Sequence, residues 1–143
     1  MHFIHIMDKA KTIQEIETEL FLQPLSNLVA KLNYSRRLER CWKLIESNYS
    51  DSNLDLEKAA KVSGISKNHL NILLRRTTAF TFHQLLTRYR LLCATAMIMT
   101  KNYSLVEIAV QNGFGSLVAF QRNFQSILGD TPWRFKKKSG FLI

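Results

Sequence analysis

One stretch of this chain occurs twice, roughly 50 residues apart, and this duplication limits the possible folds more than any other feature. The later copy, Leu105–Leu128, reads LVEIAVQNGFGSLVAFQRNFQSIL, and the earlier copy, Leu56–Arg75, reads LEKAAKVSGISKNHLNILLR. The matched positions are Ala60 with Ala109, Gly64 with Gly113, Ser66 with Ser116, Leu70 with Phe120, Leu74 with Phe124 and Thr81 with Thr131. Because the same kinds of residue recur at the same spacing, both copies are expected to form the same structural unit.

Each copy predicts two short helices that cross steeply at a tight turn. In the later copy, Leu105, Ile108 and Ala109 form the apolar side of the first helix. Phe120 and Phe124 repeat at the helical period in the second. The small alanine allows a close crossing, glycine takes the left-handed turn conformation readily, and serine caps the next helix. This combination predicts a helix-turn-helix, whose second helix enters the major groove of DNA.

The whole chain predicts an all-α fold, with two helix-turn-helix subdomains joined by a long linker helix and preceded by a short helical N-terminal extension. Five glycines and two prolines leave few breaks, and no run with a period of two residues indicates a strand. The expected parts are an extension over 1–35, a DNA-binding domain over 36–138 and a tail over 139–143. Within the domain, the first helix-turn-helix covers about 55–77, the linker about 82–100 and the second about 104–128.

The linker pattern, Phe82–Thr100, is the longest helical pattern in the chain, at roughly 28 Å. Successive major-groove segments on one side of B-DNA lie about 34 Å apart. A stiff helix of this length can therefore hold two recognition helices in neighbouring segments. Beyond the second copy, Thr131 and Pro132 predict the cap and first residue of a short final helix.

The net charge of +9 is distributed unevenly along the chain. Residues 1–35 hold three Lys or Arg and four Asp or Glu, whereas residues 36–143 hold 17 and seven. The positive excess therefore lies with the repeats, as expected of a domain that binds a polyanion such as DNA. A basic protein without such a partner would carry the same net charge, so charge alone does not decide between the two.

No catalytic or metal-binding pattern stands out in the sequence. Cys41 and Cys93 fall beside apolar residues in helical patterns and are expected to be small buried thiols, with no His or Lys at a convincing position to activate them. The four histidines, His2 and His5 among them, have no Cys or carboxylate partners at metal-ligand spacing. With no signal peptide and no transmembrane run, the chain is expected to be a cytoplasmic protein, not an enzyme, that needs no cofactor.

The N-terminal extension predicts two short amphipathic helices. Ile13, Ile16 and Leu20 repeat at helical spacing after Thr12, and Pro24 precedes a second such pattern. Three interpretations stay open. The extension packs on the basic domain, or it pairs with a second copy in a homodimer through residues 12–33, or it is the remnant of a larger upstream domain.

The outward faces of the second helices, Ser66–Arg76 and Ser116–Leu128, carry the residue types that read bases. Amides pair with adenine, arginine with guanine, and apolar side chains meet the thymine methyl group. The predicted base-reading residues are Asn68, Asn71, Ile72, Arg75, Val118, Gln121, Arg122 and Gln125. The predicted phosphate contacts are Lys67, Arg76 and Ser116. The alternatives are a solvated face for the polar residues, and a contact elsewhere in the domain for Ile72 and Val118.

The second copy and the residues that follow it resemble the AraC/XylS family of bacterial transcription regulators. The resemblance extends over about Arg37–Lys138. The family's pattern falls on Ala109, Gly113, Phe114, Ser116, Phe120, Arg122, Phe124, Gly129, Thr131, Pro132 and Phe135. The chain departs from the family where Ala79 replaces a common glycine and Leu74 a common aromatic residue. Leu117 and Val118 are apolar where polar residues are frequent.

The resemblance implies seven helices in two helix-turn-helix subdomains that bind double-stranded promoter DNA. It further implies activation of transcription, often through contact with RNA polymerase. Base contacts of the family would fall on Asn68, Asn71, Ile72, Val118, Gln121 and Arg122. The alternative is a protein-interaction module that modulates a partner regulator or polymerase and reads little DNA itself. The apolar Ile72, Leu117 and Val118 favour that alternative.

Overall fold

The repeats fold as two helix-turn-helix units within a chain that is helical throughout its described part. The computed structural model describes residues 12–100 and 102–140, with side chains as far as Lys138, and none of these residues is in a strand. The helices are α1 (Ile13–Phe21), α2 (Leu25–Leu32), α3 (Arg36–Asn48), α4 (Leu56–Ser63), α5 (Lys67–Thr78), α6 (Phe82–Thr100), α7 (Leu105–Gln111), α8 (Leu117–Leu128) and α9 (Pro132–Gly140). The predicted all-α class is confirmed, and His2 and His5 lie outside the described residues. None of these helices is both long and apolar enough to cross a membrane.

Short-range signals in the sequence set the helix ends. Ser66 and Ser116 cap α5 and α8, and each hydroxyl accepts the backbone N–H three residues further on at 3.1 Å. Thr81 and Thr131 accept in the same way at α6 and α9, at 3.3 and 3.2 Å. Pro132 begins α9, where the absence of its N–H costs no helical hydrogen bond. The duplication is therefore repeated in the structure down to the capping hydrogen bonds.

The two helix-turn-helix units have different cores. The first, α4–α5, buries the aliphatic Leu70 and Leu74 completely. The second, α7–α8, is built on a chain of aromatic rings that runs from Phe114 through Phe120 and Phe124 to Phe135 of α9. Successive ring centroids lie 5.1, 5.7 and 5.6 Å apart. The aromatic contacts continue into α9, so the final helix is part of the second unit.

The N-terminal extension lies against the domain. Helix α1 packs on α6 and α8, and α2 packs on α3 and α5. Its fully buried residues are Ile16, Leu20, Phe21, Leu28 and Leu32. Arg88 of α6 donates from Nη1 to the Leu20 carbonyl at 3.2 Å, and its guanidinium lies 4.5 Å from the centroid of the Phe80 ring. The apolar face of residues 12–33 is thus covered within the same chain.

A buried arginine joins the linker helix α6 to the α3–α4 loop. Arg90 of α6 donates from Nε to the Tyr49 carbonyl and from Nη2 to the Asp51 carbonyl, both at 2.7 Å. Burial lowers the pKa of Arg90, and the nearby Asp51 carboxylate opposes that shift. Gly113, in the turn of the second unit, has φ +84 and packs directly against Tyr49 and Arg90. The turn of the second unit therefore rests on the α3–α4 loop that precedes the first.

A left-handed residue ends α5 and α8 alike. Ala79 has φ +73 and the equivalent Gly129 has φ +76, so the alanine keeps the backbone conformation of the glycine that it replaces. An L-residue with a Cβ is strained in this region by about 1–2 kcal/mol. Leu74, where the family commonly has an aromatic residue, is fully buried.

Ala79→Gly is expected to raise the free energy of unfolding by about 1 kcal/mol, because relief of strain exceeds the added entropy of the unfolded chain. Urea denaturation would measure the change. Gly129→Ala is the matched control. Its Cβ would meet no atom within 4 Å, so it should lower stability by a similar amount through strain alone. A loss of stability in Ala79→Gly would contradict this account.

Candidate nucleic-acid interface

Ten of the eleven residues predicted to contact DNA lie on exposed surfaces of α5 and α8 and their caps. In α5 these are Lys67, Asn68, Ile72, Arg75 and Arg76, and in α8 with its cap they are Ser116, Val118, Gln121, Arg122 and Gln125. The opposite sides carry the buried stripes described above, as amphipathic helices require. Ile72 is 41% exposed and Val118 is 60% exposed. Neither apolar side chain is buried in a contact within the domain.

Asn71 is the exception among these residues. Its side chain is half-buried, and Oδ1 accepts a hydrogen bond from the backbone N–H of Phe82 at 2.9 Å. The bond joins the middle of α5 to the first residue of α6. Asn71 therefore holds two elements of the fold together, in addition to any contact with DNA.

The arginines of the two exposed faces are free to meet an anion. The guanidinium groups of Arg75, Arg76 and Arg122 make no ion pair or hydrogen bond within residues 12–100 and 102–138. The same holds for Lys67, the first residue of α5. Lys67 and Arg76, near the two ends of α5, suit contacts with phosphate oxygens, which the N-terminal backbone N–H groups of α5 and α8 also favour.

The two units differ in charge. Residues 56–78 carry five Lys or Arg and one Glu, whereas residues 105–128 carry only Arg122 and Glu107. The second unit gains positive charge from α9, but part of that charge is already in ion pairs. Arg134 and Lys138 pair with Asp130 at 3.6 and 3.3 Å. The first unit thus has the stronger attraction for a polyanion.

Asp130 is held in its charged form by these partners. Burial alone would raise the pKa of its carboxyl group. The backbone N–H of Thr131, together with Lys138 and Arg134, lowers the pKa below the ordinary value. The ion pairs of α9 therefore persist at neutral pH.

Both cysteines are free thiols. Cys41 is fully buried as expected, and burial raises the pKa of its thiol to about 12. Cys93 is only half-buried, in partial disagreement with the expectation, because it lies at the edge of the core beside Tyr49 and Tyr89. Burial raises the pKa of this thiol too. In the described part of the chain, no group of three or more His, Cys, Asp or Glu could hold a metal ion.

Sequence reasoning missed three polar residues that position the site. Arg88 and Arg90 join α6 to the extension and to the α3–α4 loop. Asn112, 1% exposed, donates from Nδ2 to the Ile108 carbonyl at 2.7 Å and contacts Met97 Sδ at 3.1 Å. For Arg88 and Arg90 the available signal was a charged residue between apolar residues of a helical pattern, which implies a buried partner. For Asn112, at the C-terminal end of α7, no such signal was available. The sequence does not show which partner it is.

Two helix-turn-helix units, each presenting an exposed amide- and arginine-bearing face, define a DNA-binding protein. The family model described as "Helix-turn-helix domain" matches residues 59–138. The chain belongs to the AraC/XylS family and has the fold of the DNA-binding domain of its transcription regulators. The predicted family and the predicted arrangement of helices are both confirmed.

Relatives with named functions support this assignment. The chain is 30% identical over 84 residues to the probable transcription factor PqrA of Proteus vulgaris, covering 59% of this chain and 69% of that protein. It is 30% identical over 88 residues to the transcriptional activator AarP of Providencia stuartii, covering 62% and 64%. The chain spans less than half the length of other curated relatives that it matches at 25% identity, 41% of one and 7% of another.

A solved complex with DNA shares the fold. The DNA-binding domain of the transcription factor AdpA, determined with a target DNA, superposes with a TM-score of 0.66 at 26% identity. The match covers 72% of this chain and 91% of that domain. The arrangement of helices described above is therefore that of a domain seen bound to DNA.

Proposed function

We propose that this regulator activates transcription in the bacterial cytoplasm by placing α5 and α8 in adjacent major-groove segments of promoter DNA. The observation that carries the proposal is the pair of exposed, unpaired faces on the two equivalent helices. Helix α6 joins the two units and has 19 residues, or about 28 Å, which suits the groove repeat of about 34 Å. The likeness to the activator AarP supports the positive sign of regulation.

The exposed residues divide by the part of DNA that each suits. Arginine and amide side chains suit base edges, and the apolar side chains of Ile72 and Val118 suit thymine methyl groups. The proposed base readers are Asn68, Ile72, Arg75, Val118, Gln121, Arg122 and Gln125. Lys67, Arg76 and Ser116 suit phosphates, and these contacts add affinity and salt dependence without sequence information.

We also propose that one copy of the protein binds each site. A homodimer through residues 12–33 would need their apolar face, and Ile16, Leu20, Leu28 and Leu32 are at most 1% exposed against the rest of the chain. Each copy already carries two recognition helices. No second copy is needed to span two major-groove segments.

Binding selection on random duplexes tests this function. The selected sequences should share a two-part consensus with its halves about one helical turn apart, bound by one copy. Affinity for the selected duplex should fall by roughly 10³-fold or more between 50 and 200 mM salt if six or more phosphates are contacted. A pool without consensus, or affinity insensitive to salt, would rule out sequence-specific DNA binding.

RNA polymerase is the proposed protein partner, and a groove between α7 and α9 suits it. The groove has a volume of about 620 Å³ and is lined by Ser104, Leu105, Val106, Trp133, Lys136 and Lys137. Trp133 is 59% exposed and Val106 is 52% exposed. The Lys137 ammonium lies 5.2 Å from the centroid of the Trp133 ring. An apolar floor beside lysines complements an acidic amphipathic segment, the kind of polymerase segment that we propose binds here.

Trp133→Ala is expected to reduce activation in a purified transcription reaction by roughly 10-fold or more, because truncating a central tryptophan typically costs more than about 2 kcal/mol of binding. Affinity for the selected DNA should stay within about twofold of the parent. Tyr34→Ala is the matched control, since Tyr34 is 93% exposed and belongs to the extension. Unchanged activation in Trp133→Ala, or an equal loss of DNA affinity, would contradict this role.

A further inference from the structure

Asn71 and Gln121 occupy equivalent positions in the two repeats. Asn71 is the fifth residue after the cap Ser66, and Gln121 is the fifth after Ser116. Both side chains are amides on a recognition helix, and by pattern alone both suit adenine. The residue at the start of the following helix differs, because Phe82 begins α6 and Pro132 begins α9.

The amide of Asn71 has a fixed orientation. Its partner, the backbone N–H of Phe82, is a donor, so the atom 2.9 Å away must be the carbonyl oxygen of the amide. The N–H groups of the first turn of a helix have no partner within the helix. Asn71 supplies that partner at α6. Its NH₂ group is left to point away from the bond.

The second repeat meets the same requirement differently. Pro132 has no N–H, so the first residue of α9 needs no acceptor. Gln121 is exposed, and its side-chain amide makes no hydrogen bond within the described part of the chain. Its carbonyl oxygen and its NH₂ group are both free. The two repeats thus differ outside the recognition helices, with Phe82 in one and Pro132 in the other. This difference leaves the amide of Asn71 hydrogen-bonded and the amide of Gln121 free.

We propose that Asn71 is a positioning residue that sets α5 against α6, and that Gln121 is the amide that reads adenine. A bidentate contact with adenine needs one acceptor for the N6 amino group and one donor for N7. The carbonyl oxygen of Asn71 is held at the Phe82 N–H, so this amide is not free to turn its oxygen and its NH₂ group together toward one base. Gln121 retains both groups. This inference rests on the proposed binding of α5 and α8 in the major groove.

Four variants test the division, with thermal unfolding and binding selection as separate readouts. Asn71→Ala should lower the Tm by about 5 °C, since it leaves the Phe82 N–H without its partner. Asn71→Asp keeps an oxygen acceptor and should restore most of that loss. Neither change should remove an adenine from the selected consensus.

Gln121→Ala should leave the Tm within about 1 °C of the parent, because its amide makes no intramolecular hydrogen bond. It should remove the preference for adenine at one position and weaken binding to the selected duplex by about 5- to 150-fold, as expected for one bidentate pair. Gln121→Glu keeps the length of the side chain but loses the donor, and it should lose the same preference.

The opposite pattern would overturn the proposal. Loss of an adenine from the consensus in Asn71→Asp, or an unchanged consensus in Gln121→Ala, would show that the roles are wrongly assigned. An unchanged Tm in Asn71→Ala would remove the positioning role. If the parent protein itself selects no consensus, the proposed function fails, and the unfolding of the Asn71 variants still tests the positioning half separately.

Discussion

Gly113→Ala is expected to lower the free energy of unfolding by roughly 3–5 kcal/mol, since strain and overlap add at one position. Gly113 has φ +84, where an alanine is strained whatever the space around it. An added Cβ would also overlap the Tyr49 carbonyl oxygen and lie 2.7 Å from Arg90 Nε. Both neighbours are held by a short hydrogen bond and cannot move independently. A loss of this size is a large part of the stability of a typical domain.

Urea denaturation of Gly113→Ala and Gly115→Ala would test this expectation. Gly115 lies in the same turn, but its φ is outside the left-handed region and an added Cβ would meet no atom within 4 Å. Gly115→Ala should therefore change stability by about 0.5 kcal/mol or less. Equal losses in the two variants would mean that the turn as a whole tolerates no side chain, and that the contact with Tyr49 and Arg90 is not the cause.

Arg90→Met is expected to cost about 3 kcal/mol of stability. Methionine fills much of the same volume but donates no hydrogen bond. The Tyr49 and Asp51 carbonyls, which accept from Arg90 at 2.7 Å, would lose a charged donor. Arg134→Met is the control, because that side chain is 65% exposed and its ion pair with Asp130 is long, at 3.6 Å. Its cost should be at most about 0.5 kcal/mol.

Arg90→Met also tests how the fold affects DNA binding. Arg90 holds the α3–α4 loop, and the turn of the second unit rests on that loop. Arg90→Met should therefore loosen the second helix-turn-helix relative to the first. Binding to the complete two-part site should fall more than binding to a duplex that carries only the half read by α5. Measuring both affinities under conditions where Arg90→Met is folded separates the two effects. Equal loss on both duplexes would show that Arg90 stabilises the protein without setting the spacing.

Rules that act over a few residues predicted most of the secondary structure. The linker helix begins at Phe82 and ends at Thr100, as its pattern indicated. Ser66 and Ser116 cap the recognition helices, and Gly113 takes the left-handed conformation that the turn required. Each of these features depends on neighbours within about four residues, so the sequence carries the complete signal.

The sequence predicted which helix faces are buried, but not which surfaces cover them. The period of Ile16 and Leu20 showed that one face of the extension would be buried, and it left open which surface would cover that face. The structure places this face against α6 and α8. Periodicity records that a face is apolar, and any apolar surface of matching shape can satisfy it.

The duplicated helix-turn-helix, its caps, its turns and the exposed faces of α5 and α8 were determined by the sequence alone. The tertiary structure decided which amide is free. Asn71 and Gln121 look alike in the sequence, and a hydrogen bond to a residue 11 positions away separates them. It also decided that Arg90 of α6 bonds to Tyr49, 41 positions away, in the α3–α4 loop. Directional contacts between distant residues need both groups placed in space, and no local pattern specifies that placement.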